Sequence, residues 1–452
     1  MKKYANQYEK MTQQPIPSLL VQLAIPTIIT MMVSSIYNMA DAAFVGRLGT
    51  SASGAVGVVA GYMAILQAIG FLFGQGAGNL LSRRLGARDL EGATVIASTG
   101  FFCALGLSMV FAVLSLVFID PLVRLLGSTE TIAPYAKTYI SYIVLAAPAM
   151  VTSFSMNNLL RYEGKATLGM IGMMTGVGLN IIGDPIFMFC FHMGIAGAGL
   201  ATCISQYVSF AILVSMFLRG KTQSRLAIRR VCLKPAQLAD IVTTGFPSLL
   251  RQGLNSLATI LLNMQAAVYG DAAVAAMSIV SRIVFFAFSV ALGTGQGFQP
   301  IGGFNYGAGK YTRLRKAFLT TALMAEGIIL VVTIFGLSFA DSLIILFRDD
   351  PEVVAIGTRA LKLQLTAQLV LPMCSTVEML HQCSGRKLGA TILSGMRSGF
   401  LFIPCLLILP YFRGLAGLQE AQPLAFLLSL IPSTIMGIRY FRQLPTEDRP
   451  QA

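Results

Sequence analysis

The chain has 452 residues, of which 55% are hydrophobic and only 12% carry a charge, about half the charged fraction of a typical soluble domain. Its formal net charge is +14, but the cations are not gathered in one basic domain with interleaved aromatic residues, which argues against nucleic-acid binding. The composition therefore predicts a membrane protein with lipids as its surroundings.

The chain consists of apolar stretches separated by short polar segments, and each stretch is long enough for a transmembrane helix of about 20 residues. In the first half we predict six spans, at 17–44, 53–82, 92–119, 132–158, 166–190 and 194–218. The second half repeats them at 236–269, 273–305, 315–340, 353–380, 388–411 and 415–440. Twelve spans place both termini on the same side of the membrane.

The basic residues lie mainly in alternate connecting segments. If the N-terminus is cytoplasmic, 23 of the 33 Lys and Arg residues lie in inner segments and 7 in outer segments. By the positive-inside rule this bias predicts a multi-pass protein of the inner (cytoplasmic) membrane with both termini in the cytoplasm.

The sequence contains an internal duplication with a shift of 221 positions. The matched residues are Pro26 with Pro247, Gly74–Gly76 with Gly295–Gly297, Gly86 with Gly307, and Gly164 with Gly385. We predict an N-terminal six-helix lobe at 14–218, a basic cytoplasmic linker at 219–235 and a C-terminal six-helix lobe at 236–442. The predicted fold is an all-α membrane protein with twelve transmembrane helices in two six-helix bundles, related by a pseudo-two-fold axis along the membrane normal, as in many secondary transporters.

Two acidic residues lie inside predicted spans of the first half only. Asp41 and Asp184 have the apolar residues Leu262 and Cys405 at the corresponding positions of the second half. An ionisable group inside a bilayer costs roughly 2.5–3.5 kcal/mol at a helix centre, so it indicates a functional site.

Neighbouring polar residues extend this acidic pair into a candidate cation site. Asn180 precedes Asp184 by four residues and shares its helical face, and Thr202 on the next span adds a hydroxyl group. Carboxylate, amide and hydroxyl oxygens suit a small hard cation, so Asp41, Asn180, Asp184 and Thr202 are the candidate metal ligands. Without a metal ion, one of the two carboxyl groups should bind a proton. Alternatively, Asp41 caps a helix end and Asp184 satisfies Asn180 and nearby backbone.

Charged residues also lie inside the second-half spans: Arg251, Arg282, Arg397, Glu326 and Glu378. Because both signs are present on neighbouring spans, we predict that they neutralise one another in structural ion pairs. Glu378 is a further candidate for the substrate cavity, since it occupies the repeat position of Asn157.

The sequence has no Walker A, H-E-x-x-H or G-x-S-x-G motif and no paired Cys–His cluster. We therefore expect no enzyme activity, no catalytic residues and no cofactor other than a coupling ion.

The ordered and duplicated motifs make the whole chain resemble the multidrug and toxic compound extrusion (MATE) family of bacterial type. They are Pro26 with Asp41, Gly74–Ala87 with its copy at 295–308, Gly164–Lys165 with Gly385–Arg386, Asn180-x3-Asp184-Pro185, and Gly194-x2-Gly197-Ala198-Gly199-x2-Thr202. The resemblance implies two six-helix lobes that export organic cations in exchange for sodium ions or protons.

The resemblance also assigns residues to roles. It implies an ion-coupling site at Asp41, Asn180, Asp184 and Thr202 with the carbonyl of Ala198, a substrate cavity next to Tyr37, Tyr139 and Asn157, and a bend of the first helix at Pro26. The acidic site that some members carry in the second lobe is not matched, because Arg251 and Gln252 occupy its positions.

The sequence thus predicts a cation-coupled (Na⁺ or H⁺) antiporter that exports lipophilic, cationic drugs or toxic compounds, most simply as a monomer. A lipid-linked saccharide flippase of the same superfold is the alternative, since the second-half arginines would suit a pyrophosphate. A membrane enzyme or a passive channel fits less well, because no catalytic motif is present and a channel needs no acids confined to one half.

Overall fold

The computed structural model describes residues 6–449, and all regular secondary structure within them is helical. The helices of the first half are α1 Gln7–Gln13, α2 Ile16–Gly46, α3 Thr50–Gly86, α4 Leu90–Val117, α5 Ile119–Leu125, α6 Ala133–Tyr162, α7 Ala166–Pro185 and α8 Ile195–Leu218. Those of the second half are α9 Pro235–Ala267, α10 Asp271–Gly307, α11 Tyr311–Ser338, α12 Ala340–Ile345, α13 Pro351–Ala367, α14 Leu371–Cys383, α15 Lys387–Gly395, α16 Phe402–Arg413 and α17 Leu415–Gln443.

Each of the twelve predicted spans has a helical counterpart in the described chain. Ten of these segments are long and apolar enough to cross a membrane on those criteria alone. The other two are α9 and the pair α13–α14, which a short 3₁₀ turn at Gln368–Val370 divides into helices of 17 and 13 residues. The prediction of an all-helical chain with twelve spans is therefore confirmed.

Helix lengths reproduce the duplication seen in the sequence. Helices α3 and α10 both have 37 residues and begin at positions 50 and 271, whereas α4 and α11 both have 28 residues and begin at 90 and 311. Both pairs of starts differ by 221 positions, so the repeat in sequence is also a repeat of helix order.

The chain forms two compact units whose boundaries fall inside helices. The first unit comprises residues 29–249, and the second unit comprises the residues up to Ile28 together with those from Leu250 onward. The start of α2 therefore belongs to the second unit and the start of α9 to the first. The predicted lobe boundaries at 14–218 and 236–442 follow the sequence repeat and stay a prediction.

Glycines allow the start of α9 to pack tightly on α3 within the first unit. A Cβ atom on Gly245 would lie 1.9 Å from the carbonyl oxygen of Leu72, and one on Gly76 would lie 2.2 Å from that of Ile241. A side chain at either position would collide with backbone, so this contact requires glycine, as in other close helix pairs in membranes.

The second unit contains the equivalent contact between the start of α2 and α10. A Cβ atom on Gly297, the repeat counterpart of Gly76, would lie 2.8 Å from the backbone nitrogen of Ala24. Gly293 approaches Ile28 in the same way, since a Cβ atom on Gly293 would lie 3.2 Å from the backbone nitrogen of Ile28. Each unit thus completes its packing with the first helical turns of the other repeat.

The predicted linker is fixed to the first unit by a buried carboxylate. Glu163, directly after α6, accepts hydrogen bonds from the backbone N–H groups of Gln223 at 2.8 Å and Ser224 at 2.9 Å and from the Ser224 hydroxyl group. Its side chain is fully buried, and this burial raises the pKa of the Glu163 carboxyl group above its ordinary value, more than the donors lower it. The sequence analysis missed this contact, although the acid lies just before the repeated Gly164 motif.

The end of the chain is held to the second unit in a similar way. Asp448 accepts a hydrogen bond from the N–H of Thr312 at 2.8 Å, and the N–H of Arg449 donates to the carbonyl oxygen of Gly309 at 3.0 Å. Arg315 donates to the carbonyl oxygen of Leu444 at 3.0 Å. The segments that follow α8 and α17 are therefore both anchored, but only the first anchor is a buried acid.

Candidate functional site

Four helices of the first unit bring the predicted ion-coupling side chains together. Asp41 comes from α2, Tyr139 from α6, Asn180 and Asp184 from α7, and Thr202 from α8. All five are buried, with Asp41 exposing 6% of its surface and Asp184 only 1%. The structure thus places these polar groups together, and their role in ion coupling stays a prediction.

The glycine spacing of α7 explains why α7 and α8 lie so close at this site. A Cβ atom on Gly176 would lie 2.9 Å from the carbonyl oxygen of Ser205, and one on Gly183 would lie 3.2 Å from the Cβ of Ala201. Asn180 lies one turn after Gly176 and Asp184 a further turn along, so both share the face that α8 covers. Close backbone approach therefore places these two side chains against Thr202.

The amide of Asn180 links Asp184 to Thr202. With the amide oriented to satisfy both of its groups, Nδ2 donates to Oδ2 of Asp184 at 3.0 Å, and the oxygen accepts from both the backbone N–H and the hydroxyl group of Thr202 at 3.1 Å. In a regular helix that N–H serves the carbonyl of Ala198, which is also fully buried. A carbonyl oxygen has two lone pairs, and the predicted role of the Ala198 carbonyl in the ion-coupling site stays a prediction.

The two carboxyl groups contact each other. The side chains of Asp41 and Asp184 lie within hydrogen-bonding range of each other, and the Tyr139 hydroxyl group donates to Oδ2 of Asp41 at 3.4 Å. Oδ1 of each aspartate is buried and has no donor among the described side chains when both groups are carboxylates. A hydrogen bond between two carboxyl groups requires a proton, and two unpaired anionic oxygens require either that proton or a bound cation.

Basic side chains do not neutralise this pair within the described chain, where neither aspartate forms an ion pair with Lys or Arg. No group of three or more His, Cys, Asp or Glu that could hold a metal ion occurs among the described residues either. Any cation bound here would therefore depend on two carboxylates supplemented by amide, hydroxyl and carbonyl oxygens.

Tyr37 completes the cluster, whereas Asn157 lies elsewhere in the first unit and Pro26 belongs to the second unit. Tyr37 is buried and its hydroxyl group is hydrogen bonded to Thr202. Asn157 lies 18 residues beyond Tyr139 on α6, about 27 Å along a helix, and its Oδ1 occupies the space beside Gly169. Pro26 is part of the second unit, and α2 continues through it. The predicted roles of Asn157 in the substrate cavity and of Pro26 as a bend stay predictions.

The charged residues of the second unit form one ion-pair cluster. Glu378 contacts Nη1 of Arg251, and its Oε2 lies 3.5 Å from Nη2 of Arg397. Arg282 and Glu326 are not joined in an ion pair within the described chain. The predicted structural pairing thus holds for Arg251, Arg397 and Glu378, while a cavity-lining role for Glu378 stays a prediction.

Comparison with known proteins identifies the family. The MatE family profile matches the chain twice, over residues 26–186 and 247–407, and these two matches are offset by the 221 positions of the internal repeat. The chain belongs to the MatE family. The predicted resemblance is therefore confirmed, and the chain is a multi-pass membrane transporter and not an enzyme.

Individual members of the family are similar to the chain over most of its length. The "Multidrug export protein MepA" of Staphylococcus haemolyticus (strain JCSC1435) is 29% identical over 399 residues, which are 88% of each chain. A solved structure described as the outward-facing conformation of a multidrug resistance MATE family transporter of the MOP superfamily matches with a TM-score of 0.92 and 26% identity over 98% of this chain and 99% of that one. A structure of MATE in the bent conformation matches with a TM-score of 0.90 and 27% identity at the same coverage. These similarities confirm the predicted twelve-helix MatE fold.

Proposed function

We propose that this MatE protein is an ion-coupled antiporter that exports lipophilic, cationic drugs or toxic compounds. The observation that supports this proposal is the burial of Asp41 and Asp184 side by side, two acids within hydrogen-bonding range of each other and without a basic partner in the described chain. Such a pair is stable inside a membrane only when a proton or a cation offsets its charge.

In the proposed cycle, the acid pair takes up an ion from one side and releases it on the other. A proton would be shared between Asp41 and Asp184, whereas a sodium ion would be held by the carboxylates with Asn180, Thr202 and the Ala198 carbonyl as further oxygen ligands. Either ion offsets the same negative charge, so the residues are compatible with both.

Ion and substrate binding are proposed to exclude each other. The free energy by which the bound ion weakens substrate binding equals that by which the substrate weakens ion binding. Tyr37 and Tyr139 adjoin the acid pair, and aromatic faces attract organic cations. Similarity to proteins named multidrug export protein supports lipophilic substrates of several kinds.

The test is efflux of a fluorescent lipophilic cation from proteoliposomes under an imposed sodium gradient and, separately, an imposed pH gradient. We expect one gradient to drive efflux in the unmodified protein, and Asp41→Asn to abolish that driven component while the protein stays folded. Asp120→Asn is the matched control, because Asp120 is an exposed acid of the same unit, paired with Lys137, and this variant should transport normally. Full gradient-driven transport by Asp41→Asn would refute the assignment.

We further propose that the protein lies in the cytoplasmic membrane with both termini inside and works as a monomer. The distribution of Lys and Arg over alternate segments supports this orientation, and the monomer is the simplest assembly. Cys232 in the linker provides the test, since a membrane-impermeant maleimide should label it in inverted vesicles but not in intact spheroplasts. Labelling of Cys232 in spheroplasts, in a variant whose other cysteines, including the exposed Cys190, are replaced by serine, would reverse the orientation.

A lipid-linked saccharide flippase remains the second candidate function. The observation that favours it is the presence of two buried arginines with a single acid in the second unit. Binding of an anionic pyrophosphate lipid in place of dye cations, with no effect of Asp41→Asn, would favour this candidate over export.

A further inference from the structure

The second unit buries more positive than negative charge at one place. Arg251 on α9, Glu378 on α14 and Arg397 in the turn between α15 and α16 form a triad in which each residue exposes 5% of its surface or less. One carboxylate lies between two guanidinium groups, so the triad carries a net charge of +1. Removing such a charge from water is costly unless a further partner offsets it.

Polar atoms of the triad remain without hydrogen bonds in the described chain. Nη2 of Arg397 and Oε2 of Glu378 are both buried without a partner there, since the 3.5 Å between them brings the charges together without hydrogen-bond geometry. The Arg397 guanidinium group lies 5.7 Å from the centre of the Phe288 ring. Arg251, in contrast, is held directly by Oε1 of Glu378. The unsatisfied donor therefore belongs to Arg397.

The local backbone fixes Arg397 beside Arg251. Residues Met396–Phe400 form a single π-helical turn, a distortion that is frequent at functional sites. Within this turn, a Cβ atom on Gly399 would lie 2.6 Å from the side chain of Leu254, which follows Arg251 by three residues and shares its helical face. The turn thus presses against α9 where Arg251 projects.

We propose that the Arg251–Glu378–Arg397 triad is an anion-binding site that takes one carboxylate or phosphate group on the Arg397 guanidinium group. The planar guanidinium fork matches both oxyanions, and Glu378 holds Arg251 in place while limiting the net charge. The site would be filled by a small dissolved compound or by the headgroup of an anionic lipid. This inference goes beyond ion-coupled export and depends on none of the residues of the Asp41–Asp184 site.

The test measures the thermal unfolding midpoint of the full-length protein in a nonionic detergent while chloride is replaced by acetate or phosphate at constant sodium and ionic strength. We expect a saturable rise of the midpoint in the unmodified protein. Arg397→Gln should raise the half-saturating anion concentration by at least about tenfold, because it removes one close charge pair. Arg282→Gln is the matched control, because Arg282 is another arginine within a membrane span of the same unit. This variant should keep the anion-dependent rise of the midpoint.

Two further variants sharpen the test. Arg397→Lys keeps the charge without the fork and should leave a weaker but saturable response. Glu378→Gln removes the competing carboxylate and should lower the half-saturating anion concentration by about tenfold or more. This expectation holds whatever the unfolding midpoint of the variant without the anion. If no anion raises the midpoint in a manner that depends on Arg397, the triad is only an ion-pair cluster and the proposal is wrong.

Reconstitution distinguishes the two sources of the oxyanion. In vesicles of phosphatidylcholine alone, acetate or phosphate should stabilise the protein if a dissolved compound is the ligand. If a lipid headgroup fills the site, phosphatidylglycerol should raise the midpoint and abolish the response to dissolved anions, and Arg397→Gln should remove the lipid effect. Absence of both effects overturns the proposal, while the efflux test on Asp41→Asn decides the export function independently.

Discussion

The two units bury charge in opposite ways although they contain copies of the same helix order. The first unit brings two acids together without a basic partner in the described chain, whereas the second places one acid between two arginines. At the positions equivalent to Asp41 and Asp184, the second unit has Leu262 inside its apolar core and Cys405 packed against that core. The acid pair needs a cation from outside, whereas in the triad one carboxylate offsets only one of the two positive charges.

This difference shows that the repeated helix order does not depend on which charges a unit buries. Positions equivalent to the triad residues Arg251, Glu378 and Arg397 hold Thr30, Asn157 and Gly176 in the first repeat. Neither charge cluster is therefore needed to form the helices, since each repeat folds without the charges of the other. Removing charge from the triad and from the acid pair should therefore have different effects on stability and on transport.

The largest effect on stability is expected for Glu378→Gln. This change leaves two buried arginines without their counter-charge, so the free energy of unfolding should fall by about 3–5 kcal/mol. Thermal unfolding in detergent, followed by circular dichroism, measures it. Glu326→Gln is the control, because Glu326 has no ion-pair partner in the described chain, and an equal loss in both variants would contradict the role of the triad.

Asp184→Asn should change stability in the opposite direction while it removes coupling. A neutral amide next to Asp41 can donate where a carboxylate only accepts, so the free energy of unfolding should rise by about 1 kcal/mol. Gradient-driven efflux should fall by about 100-fold, within the usual range of coupling free energies. If this variant is destabilised as strongly as Glu378→Gln, the acid pair is a structural element and the contrast between the units fails.

Tyr139→Phe should produce a smaller change, confined to the ion dependence. It removes the hydroxyl group that donates to Asp41, worth about 1 kcal/mol, or roughly fivefold in the ion concentration for half-maximal efflux. Tyr62→Phe is matched to it, since that buried hydroxyl group donates to Ser115 at 3.0 Å in the same unit. The control should lose some stability but keep the ion dependence, and a shift in both variants would rule out a specific role of Tyr139.

The smallest expected effect is the pH dependence of stability that Glu163, the anchor of the linker, contributes. Burial raises the pKa of Glu163 from its ordinary value of 4.5. Between pH 4.5 and this raised pKa, the native state therefore binds more protons than the unfolded state. Its contribution to stability is therefore present below pH 4.5 and is lost as the pH rises through this window.

Thermal midpoints measured against pH should thus fall more steeply in the unmodified protein than in Glu163→Gln. Glu91→Gln, which alters a side chain that is 85% exposed, should follow the unmodified protein. Parallel curves for the unmodified protein and Glu163→Gln would show that the linker anchor does not titrate.

Much of this architecture follows from local sequence patterns. Apolar lengths predicted all twelve spans, and the 221-residue shift predicted the repeated helices. The acid site was predictable because Asp41 and Asp184 are rare charges in apolar surroundings, and because the four-residue spacing of Asn180 and Asp184 places them on one helical face.

Other features depend on tertiary contacts that carry no local signal. The first turns of α2 and α9 each pack in the unit of the other repeat, against Gly297 and Gly76. The sequence shows that these two glycines are repeat counterparts, but it does not show which helices contact them. The place of Asn157 was likewise not predictable, since helical spacing fixes a face but not which neighbour covers it. Glu163 lies in the short polar segment between two spans, next to Gly164 and Lys165, so only the folded linker explains its burial.

The exchanged first turns also bear on how the protein is made. The Gly76 surface of α3 is covered by residues near Gly245, which a ribosome synthesises only after the whole first repeat and the linker. The first repeat therefore enters the membrane with one glycine-lined face still uncovered. Its final packing must wait for translation of the second repeat, so the two halves mature together and a chain that ends at the linker would be an incomplete product.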